Sequence, residues 1–251
     1  MKSKISLTSV LIILIMFNVS CFININDAIN SGTDNDEIIR ASGVLETREL
    51  ALPDFHSVEI SIPGTVNISY GSEQEAVISV DNNAFDYIKI YVRSRNLRID
   101  FKSGYQVRDM DLTLNLTMTD IRELCTNSTG SILGQNKFIS EDILLETNST
   151  GDIELELEAE NLTTLINSTG DVRLYGSVNE HNAILNSTGD LRAFGFTSQK
   201  TVISLNSTGV AEVYVTGFLD VDIHSTGSLY YKGWPAIQRN ITGIGSIINA
   251  N

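Results

Sequence analysis

Three Gly-Asp steps, at Gly151-Asp152, Gly170-Asp171 and Gly189-Asp190, set carboxylates at a regular interval along the chain. Acidic groups repeated in register are the raw material of a metal site. Calcium, however, takes about six to eight oxygens, and calcium-loaded rolls are built from glycine-rich nonapeptides, which these are not. The aspartates are therefore expected to bond turn backbone and stay solvated. A second row, Glu154, Arg173, Arg192 and Glu212, offers unlike ionisable groups on neighbouring strands. Glycan cleavage would need paired carboxylates, or a basic residue beside a metal. Cross-strand ion pairs, each worth about a few tenths of a kcal/mol, are the simpler reading. A third set pairs Asn127 with Thr129, Asn148 with Thr150, Asn167 with Thr169, Asn186 with Thr188 and Asn206 with Thr208. Outward side chains in such a grid could hold sugar hydroxyls or ordered water, an ice lattice included. They could equally bond from rung to rung and take no ligand. Cys125 reads as a half-buried structural residue, because no His with a suitable Asp or Asn is recognisable and one cysteine makes no disulfide framework. No catalytic residue, metal site or cofactor is assigned.

The elements that carry these rows are set by a repeated tag. Asn-Ser-Thr-Gly ends at Gly130, Gly151, Gly170, Gly189 and Gly209, and altered copies end at Gly227 and Gly245. An interval near 19 residues means one supersecondary unit stacked repeatedly. Two places after each glycine stand Ile132, Ile153, Val172, Leu191, Ala211, Leu229 and Ile247, all apolar. The residues next to them are largely polar, which is the period-two alternation of a half-buried strand. The stretch from Asp152 to Ala159 shows it most clearly. The leucine-rich repeat has a similar length, but its Leu-x-x-Leu-x-Leu pattern is absent. Each repeat is thus predicted to be one rung of an all-β solenoid. The same parity turns the tag's serine and glycine inward and its Asn and Thr outward. Small inward residues fit where backbone of adjacent rungs comes close.

Residues 1–21 open with Lys2 and Lys4, run through apolar Val10 to Phe17 and end at Cys21. The run is shorter than the roughly 20 residues of a membrane span and fits an export signal. It resembles a bacterial lipoprotein signal, with Cys21 as the lipidated first residue of the mature chain; simple cleavage is the alternative. Residues 22–43 read as a solvated tether. Residues 44–251 read as one body, in which strands before about residue 120 begin and cap the stack. A net charge of −14 with no basic patch argues against a nucleic-acid partner. Nine Asn-x-Ser/Thr acceptor sequences follow the signal; beside a bacterial-type signal they are a by-product of the rung sequence.

The stretch from Phe55 to Ile68, the Leu97-Arg98-Ile99 strand and the Gly-Asp-aliphatic steps at 151–153, 170–172 and 189–191 resemble the bacterial auto-transporter adhesin head domain family of the GIN type. The likeness covers about residues 50–248, although Ser-Thr stands where the family often has Gly-Ser. It implies a right-handed β-helix in an exported protein, frequently a lipoprotein of the outer membrane or cell surface, and supplies no catalytic or binding residues. The expected role is a non-catalytic adhesin or surface ligand-binding head. Its partners would be glycans or envelope proteins, and the membrane would be reached through a lipid anchor. A polysaccharide-active β-helix enzyme and a purely structural spacer are the alternatives.

Overall fold

The computed structural model of the protein describes residues 36–251. The export signal, Cys21 and the first part of the expected tether lie outside the described residues. At the other end of that tether, Glu37–Arg40 forms a strand, β1, with Ile39 packed against the core. β2 (Leu45–Glu49) follows, then β3 (Ser57–Ile60) and β4 (Thr65–Tyr70). Next come β5 (Glu75–Asp81), a single 3-10 turn at Ala84–Asp86, β6 (Ile88–Arg93), β7 (Asn96–Phe101), β8 (Tyr105–Arg108) and β9 (Leu112–Met118). The repeats supply β10 (Glu123–Thr126), β11 (Ser131–Gly134), β12 (Phe138–Thr147), β13 (Ile153–Ile166) and β14 (Val172–Leu185). β15 (Leu191–Leu205), β16 (Val210–Ile223), β17 (Ser228–Lys232), β18 (Ala236–Ile241) and β19 (Ser246–Asn249) complete the chain.

The repeats form a β-solenoid of about seven turns with rungs of about 19 residues. Every contact between successive rungs from β10 onward is parallel, and equivalent repeat positions face one another: Ile153 lies beside Val172, Val172 beside Leu191 and Leu191 beside Ala211. Alternation decides which side is inside. In β13, Ile153, Leu155, Leu157 and Ala159 are buried, whereas Glu156 and Glu158 are exposed. Stacking such columns about 4.8 Å apart gives one continuous core, to which each large apolar side chain contributes about 1.5–3 kcal/mol.

The capped end departs from chain order. β3 and β4 do not stand outermost: β3 lies between β7 and β10, and β4 between β9 and β11. The chain makes a rung, passes outward to make the terminal rung from β7 and β9, and then returns over the first. Antiparallel β6 pairs with β7, and β5 pairs with both β9 and β2. β1 runs beside β8 in a separate two-stranded sheet. Antiparallel strands cover a parallel edge that would otherwise offer its backbone to another chain.

Candidate functional site

At the tag corner, the asparagines form a ladder. Asn148, Asn167, Asn186 and Asn206 each donate an Nδ2–H to the Oδ1 of the asparagine one rung earlier, at 2.9, 2.8, 2.7 and 2.9 Å. Asn127 continues it to Glu59 Oε1 at 2.9 Å. The ladder stops where the tag decays: His224 instead approaches Thr242 Oγ1 through Nδ1 at 3.0 Å and Asp222 through Nε2 at 3.1 Å. The partner threonines Thr129, Thr150, Thr169, Thr188 and Thr208 point into solvent. The tag serines, expected to point inward, are half-buried, and their carbonyls accept the glycine N–H of the next rung, as from Gly170 to Ser149 at 2.9 Å.

The tag glycines stand in a column because there is no room for a side chain. A Cβ on Gly151 would lie 2.0 Å from the Gly130 carbonyl oxygen, and one on Gly170 2.2 Å from that of Gly151. Gly189, Gly209 and Gly245 meet the preceding tag glycine at 2.3, 2.4 and 2.2 Å, while Gly227 meets Ser207 O at 2.7 Å. The buried hydroxyls of Thr126 and Thr147 donate to the carbonyls of Gly151 and Gly170 at 3.1 and 3.4 Å. The Gly-Asp carboxylates work in the same direction. Asp152, Asp171 and Asp190 accept the backbone N–H of Asp171, Asp190 and Val210 at 2.8, 2.9 and 2.8 Å. They are turn-capping acceptors that link one rung to the next.

On the long face after the tag, Glu154 pairs with Arg173 at 2.8 Å, an interaction that raises the guanidinium pKa further. Arg192 does not reach Glu212, its neighbour in register; it turns to Asp171 and Asp190 at 3.1 and 3.4 Å. Cys125, expected to be half-buried, is fully buried. Its thiol lies in an outward column between Glu59 and Glu146 and donates to Asn127 Oδ1 at 3.3 Å.

The corner opposite the tag holds a feature that the repeat pattern conceals. A groove of about 410 Å³ runs across β12 to β16, with Ile139, Ala159 and Val178 among its apolar lining and Ser177, Asn179, Thr197, Gln199 and Thr216 among its polar lining. Such a volume lies within the range of small-ligand sites. Along its rim Asn179 donates to Glu160, and Gln199 donates to Asn179 Oδ1 at 3.1 Å. Glu158 pairs with Lys137. Beneath the groove, Ser198 Oγ and Thr201 Oγ1 share a 2.6 Å hydrogen bond, and buried His181 Nε2 lies 3.0 Å from Thr164 Oγ1. Burial alone pushes the His181 imidazole down to about 4.

Aromatic residues stand just outside the groove's lining on the same strands, Tyr175 two residues before Ser177 and Tyr214 two before Thr216. Tyr175 and Tyr214 are 42% and 37% exposed, two rungs apart, and Trp234 is 84% exposed. Tyr175 lies against Gly195 of the next rung, where a Cβ would stand 2.7 Å from its Cδ1. At Gly233 a Cβ would meet the Val215 carbonyl oxygen first, at 2.1 Å, and the edge of the Tyr214 ring, at Cε2, at 3.1 Å. Phe194 carries the Lys232 ammonium 4.4 Å above its ring centroid. Here the repeat itself breaks, since register shifts fall between Arg173 and Tyr175 on one side of β15 and between Ala193 and Thr197 on the other. Sequence reasoning missed this place. Its available signal was the aromatic-glycine step at Tyr175-Gly176, repeated at Phe194-Gly195.

Solved structures share the architecture. A putative adhesin from Bacteroides fragilis superposes with a TM-score of 0.78 at 20% identity, covering 84% of this chain and 99% of its own. A putative lipid binding protein from Parabacteroides distasonis gives 0.70 at 24% identity, covering 86% and 100%. A putative adhesin from Parabacteroides merdae gives 0.63 at 19%, covering 85% and 99%. No match was found among curated proteins. Residues 54–235 match the family described as putative auto-transporter adhesin, head GIN domain. Spanning most of the solenoid together with its capped end, that match places the chain in this adhesin-like family, to which it belongs.

Proposed function

We propose that this protein is an exported, non-catalytic component of the cell envelope that contacts a surface ligand, an adhesin-like role, and is held to the membrane by a lipid on Cys21. One observation carries the non-catalytic reading. On the repeat faces, Glu154–Arg173, Arg192–Asp171 and the asparagine ladder are engaged rung to rung instead of converging on one reacting position. Even the groove carboxylates Glu158 and Glu160 have partners in Lys137 and Asn179. The family supports a surface role, and Lys2 and Lys4, the apolar run from Val10 to Phe17 and Cys21 shortly after it support export and anchoring.

The test is a binding screen of the full-length protein, in detergent, against glycans, matrix proteins and envelope components, with turnover followed on the same glycans. Binding without turnover is expected. Turnover that disappears on changing Arg173 or Arg192 would establish the enzyme reading in its place, and a blank screen would leave a structural spacer. The anchor is read separately. An acyl label should follow the wild type into the membrane fraction and be lost in Cys21→Ser; a labelled Cys21→Ser protein would refute lipidation at this residue.

A further inference from the structure

We propose that the aromatic face and groove across β12 to β17 bind a neutral, extended glycan. Tyr175 and Tyr214 would serve as stacking platforms, and the groove lined by Ser177, Asn179, Thr197, Gln199 and Thr216 would receive the sugar hydroxyls. The inference rests on the ligand-contact reading above and names the ligand class and its site.

Four observations point to this class. The first is the presentation of the rings. Tyr175 passes close over Gly195, with Cδ1 and Cε1 2.7 and 3.3 Å from where a Cβ would stand, Tyr214 has Cε2 beside Gly233, and both rings stay partly exposed to solvent. A bulkier residue at Gly195 would displace the Tyr175 ring. Pyranose rings have an apolar C–H face that packs on such a surface, while aromatic side chains supply large contact area at low conformational cost.

The second is spacing. β14 and β16 are two rungs apart, about 10 Å, which is the length of a disaccharide unit in an extended chain. Rings on one side of such a chain would meet successive platforms.

Polar lining is the third. Ser177 stands two residues beyond Tyr175, Thr197 is beside Tyr214 in register, and Thr216 follows two residues later. Hydroxyl and amide groups that both donate and accept therefore begin where the platforms end. That combination suits a ligand with an apolar face and a hydroxyl rim.

Charge is the fourth, and it selects among the ligands an aromatic surface could hold. The protein carries −14 overall, which disfavours polyanions such as nucleic acid or uronic-acid polymers. On this face Arg173 is paired with Glu154, Arg192 with Asp171 and Asp190, and Lys232 sits over Phe194. These cations are engaged, and Glu156 beside Tyr175 and Glu212 on the same outer row add negative charge, so the face disfavours an anionic ligand further and suits a neutral one. The register shift supports the same place: bulges re-aim side chains and break pairing where a ladder gives way to a site.

The chain has one tryptophan, Trp234, directly after Gly233, which neighbours the edge of the Tyr214 ring. Its fluorescence is a direct reporter. The experiment titrates full-length protein with neutral oligosaccharides (β-glucans, mannans, xylans and chitooligosaccharides) and with sulfated and uronic-acid glycans as comparison. Saturable fluorescence change with neutral sugars is expected. Tyr175→Ala and Tyr214→Ala should each weaken binding about 10-fold or more, as loss of a stacked ring does elsewhere. Tyr214→Phe should retain binding, and Thr169→Ala at the tag corner should leave it unchanged. Circular dichroism melts of the Ala variants show whether the fold survives, and the Phe variant separates ring from hydroxyl. Binding insensitive to both Ala variants overturns the site while the contact reading stands. Binding only to acidic glycans or to proteins overturns the ligand class and leaves the contact reading intact. No binding in any arm of this titration or of the wider screen ends both.

Discussion

Acid should weaken this fold by an amount assignable to one buried imidazole. His181 occupies an inward column with Leu162 on the rung before it and Thr201 on the rung after. Its Nε2 lies 3.0 Å from Thr164 Oγ1, and its ring meets Phe196 edge-on with centroids 5.9 Å apart. These neighbours are neutral, so nothing beside the ring repays the loss of hydration on charging. Burial accordingly lowers its pKa from 6.5 to about 4. The unfolded chain takes up a proton near pH 6.5, whereas the folded chain resists until about pH 4. Stability is thus intact above 6.5 and falls as pH drops through the window between those values. At 1.36 kcal/mol per unit, the full loss is about 3 kcal/mol, of which about 2 kcal/mol is spent by pH 5.

Urea unfolding at pH 7.5 and pH 5 measures this loss, with His181→Leu as the reference. Leucine suits the column and cannot titrate, so the carboxylates contribute equally to both proteins. Removing the imidazole costs the variant its bond to Thr164 at either pH, which shifts its absolute stability without altering the slope. The wild type should lose about 2 kcal/mol more than the variant between the two pH values. Equal losses would mean that His181 is hydrated or paired in the folded protein, and the buried-column assignment would be wrong.

Four further outcomes follow from the same geometry. Gly170→Ala places a Cβ 2.2 Å from the Gly151 carbonyl and should cost about 3 kcal/mol or more by urea unfolding, beyond ordinary overpacking because backbone must move; Thr169→Ala beside it should stay within about 0.5 kcal/mol. Leu191→Asp should abolish the cooperative unfolding transition, because it buries an unpaired charge, whereas Arg192→Asp on the outer face should cost about 1 kcal/mol or less; equal damage would reverse the face assignment. Asn186→Ala removes two ladder bonds, of 2.7 and 2.9 Å, and should cost about 1–2 kcal/mol; no change in chemical stability would mean that water replaces the ladder at no loss. Hydrogen exchange should be slowest in β13 to β15 and fastest in the exposed β18, since a stack loses stability toward a rung with one neighbour.

The central repeats were legible because one constraint governs them all. A residue such as Leu155 is buried by alternation, and alternation can be read locally. The tag glycines were legible for a related reason, since close approach between rungs excludes every side chain at the same repeat position. The order of the first rungs was not. β3 and β7 both alternate, and Val58 can lie beside Leu97 or Leu124 with equal chemistry; in the fold it lies beside both. Loop-closure entropy grows too slowly with length to discriminate between such threadings. Glu37–Arg40 was hidden by its charged neighbours, although Ile39 gives it an apolar contact with the core. Cys125 was placed on the outward face, and its full burial depends on neighbouring side chains that alternation does not describe.

The groove was illegible for a different reason, and that reason bears on where function sits in a stacked fold. Regular repetition satisfies itself: the Asn167 amide is met by Asn148, the Asp190 N–H by Asp171, and the Gly170 N–H by Ser149. Groups engaged in this way have little left for a ligand, so a perfect repeat tends toward an inert surface. A site needs groups that the next rung does not meet, and these arise where register fails. β15 inserts Phe194, Gly195 and Phe196 between Ala193 and Thr197, opposite adjacent residues Val213 and Tyr214 of β16. Phe196 is buried while Phe194 is turned toward Lys232, and the strands on either side present Tyr175 and Tyr214 to solvent. Deleting Phe194 alone, which restores a one-to-one count against β14 between Arg192 and Gly195 and keeps the buried Phe196, should therefore restore the pairing of those two strands while weakening ligand contact. A deletion that left binding intact would detach function from the break in the repeat.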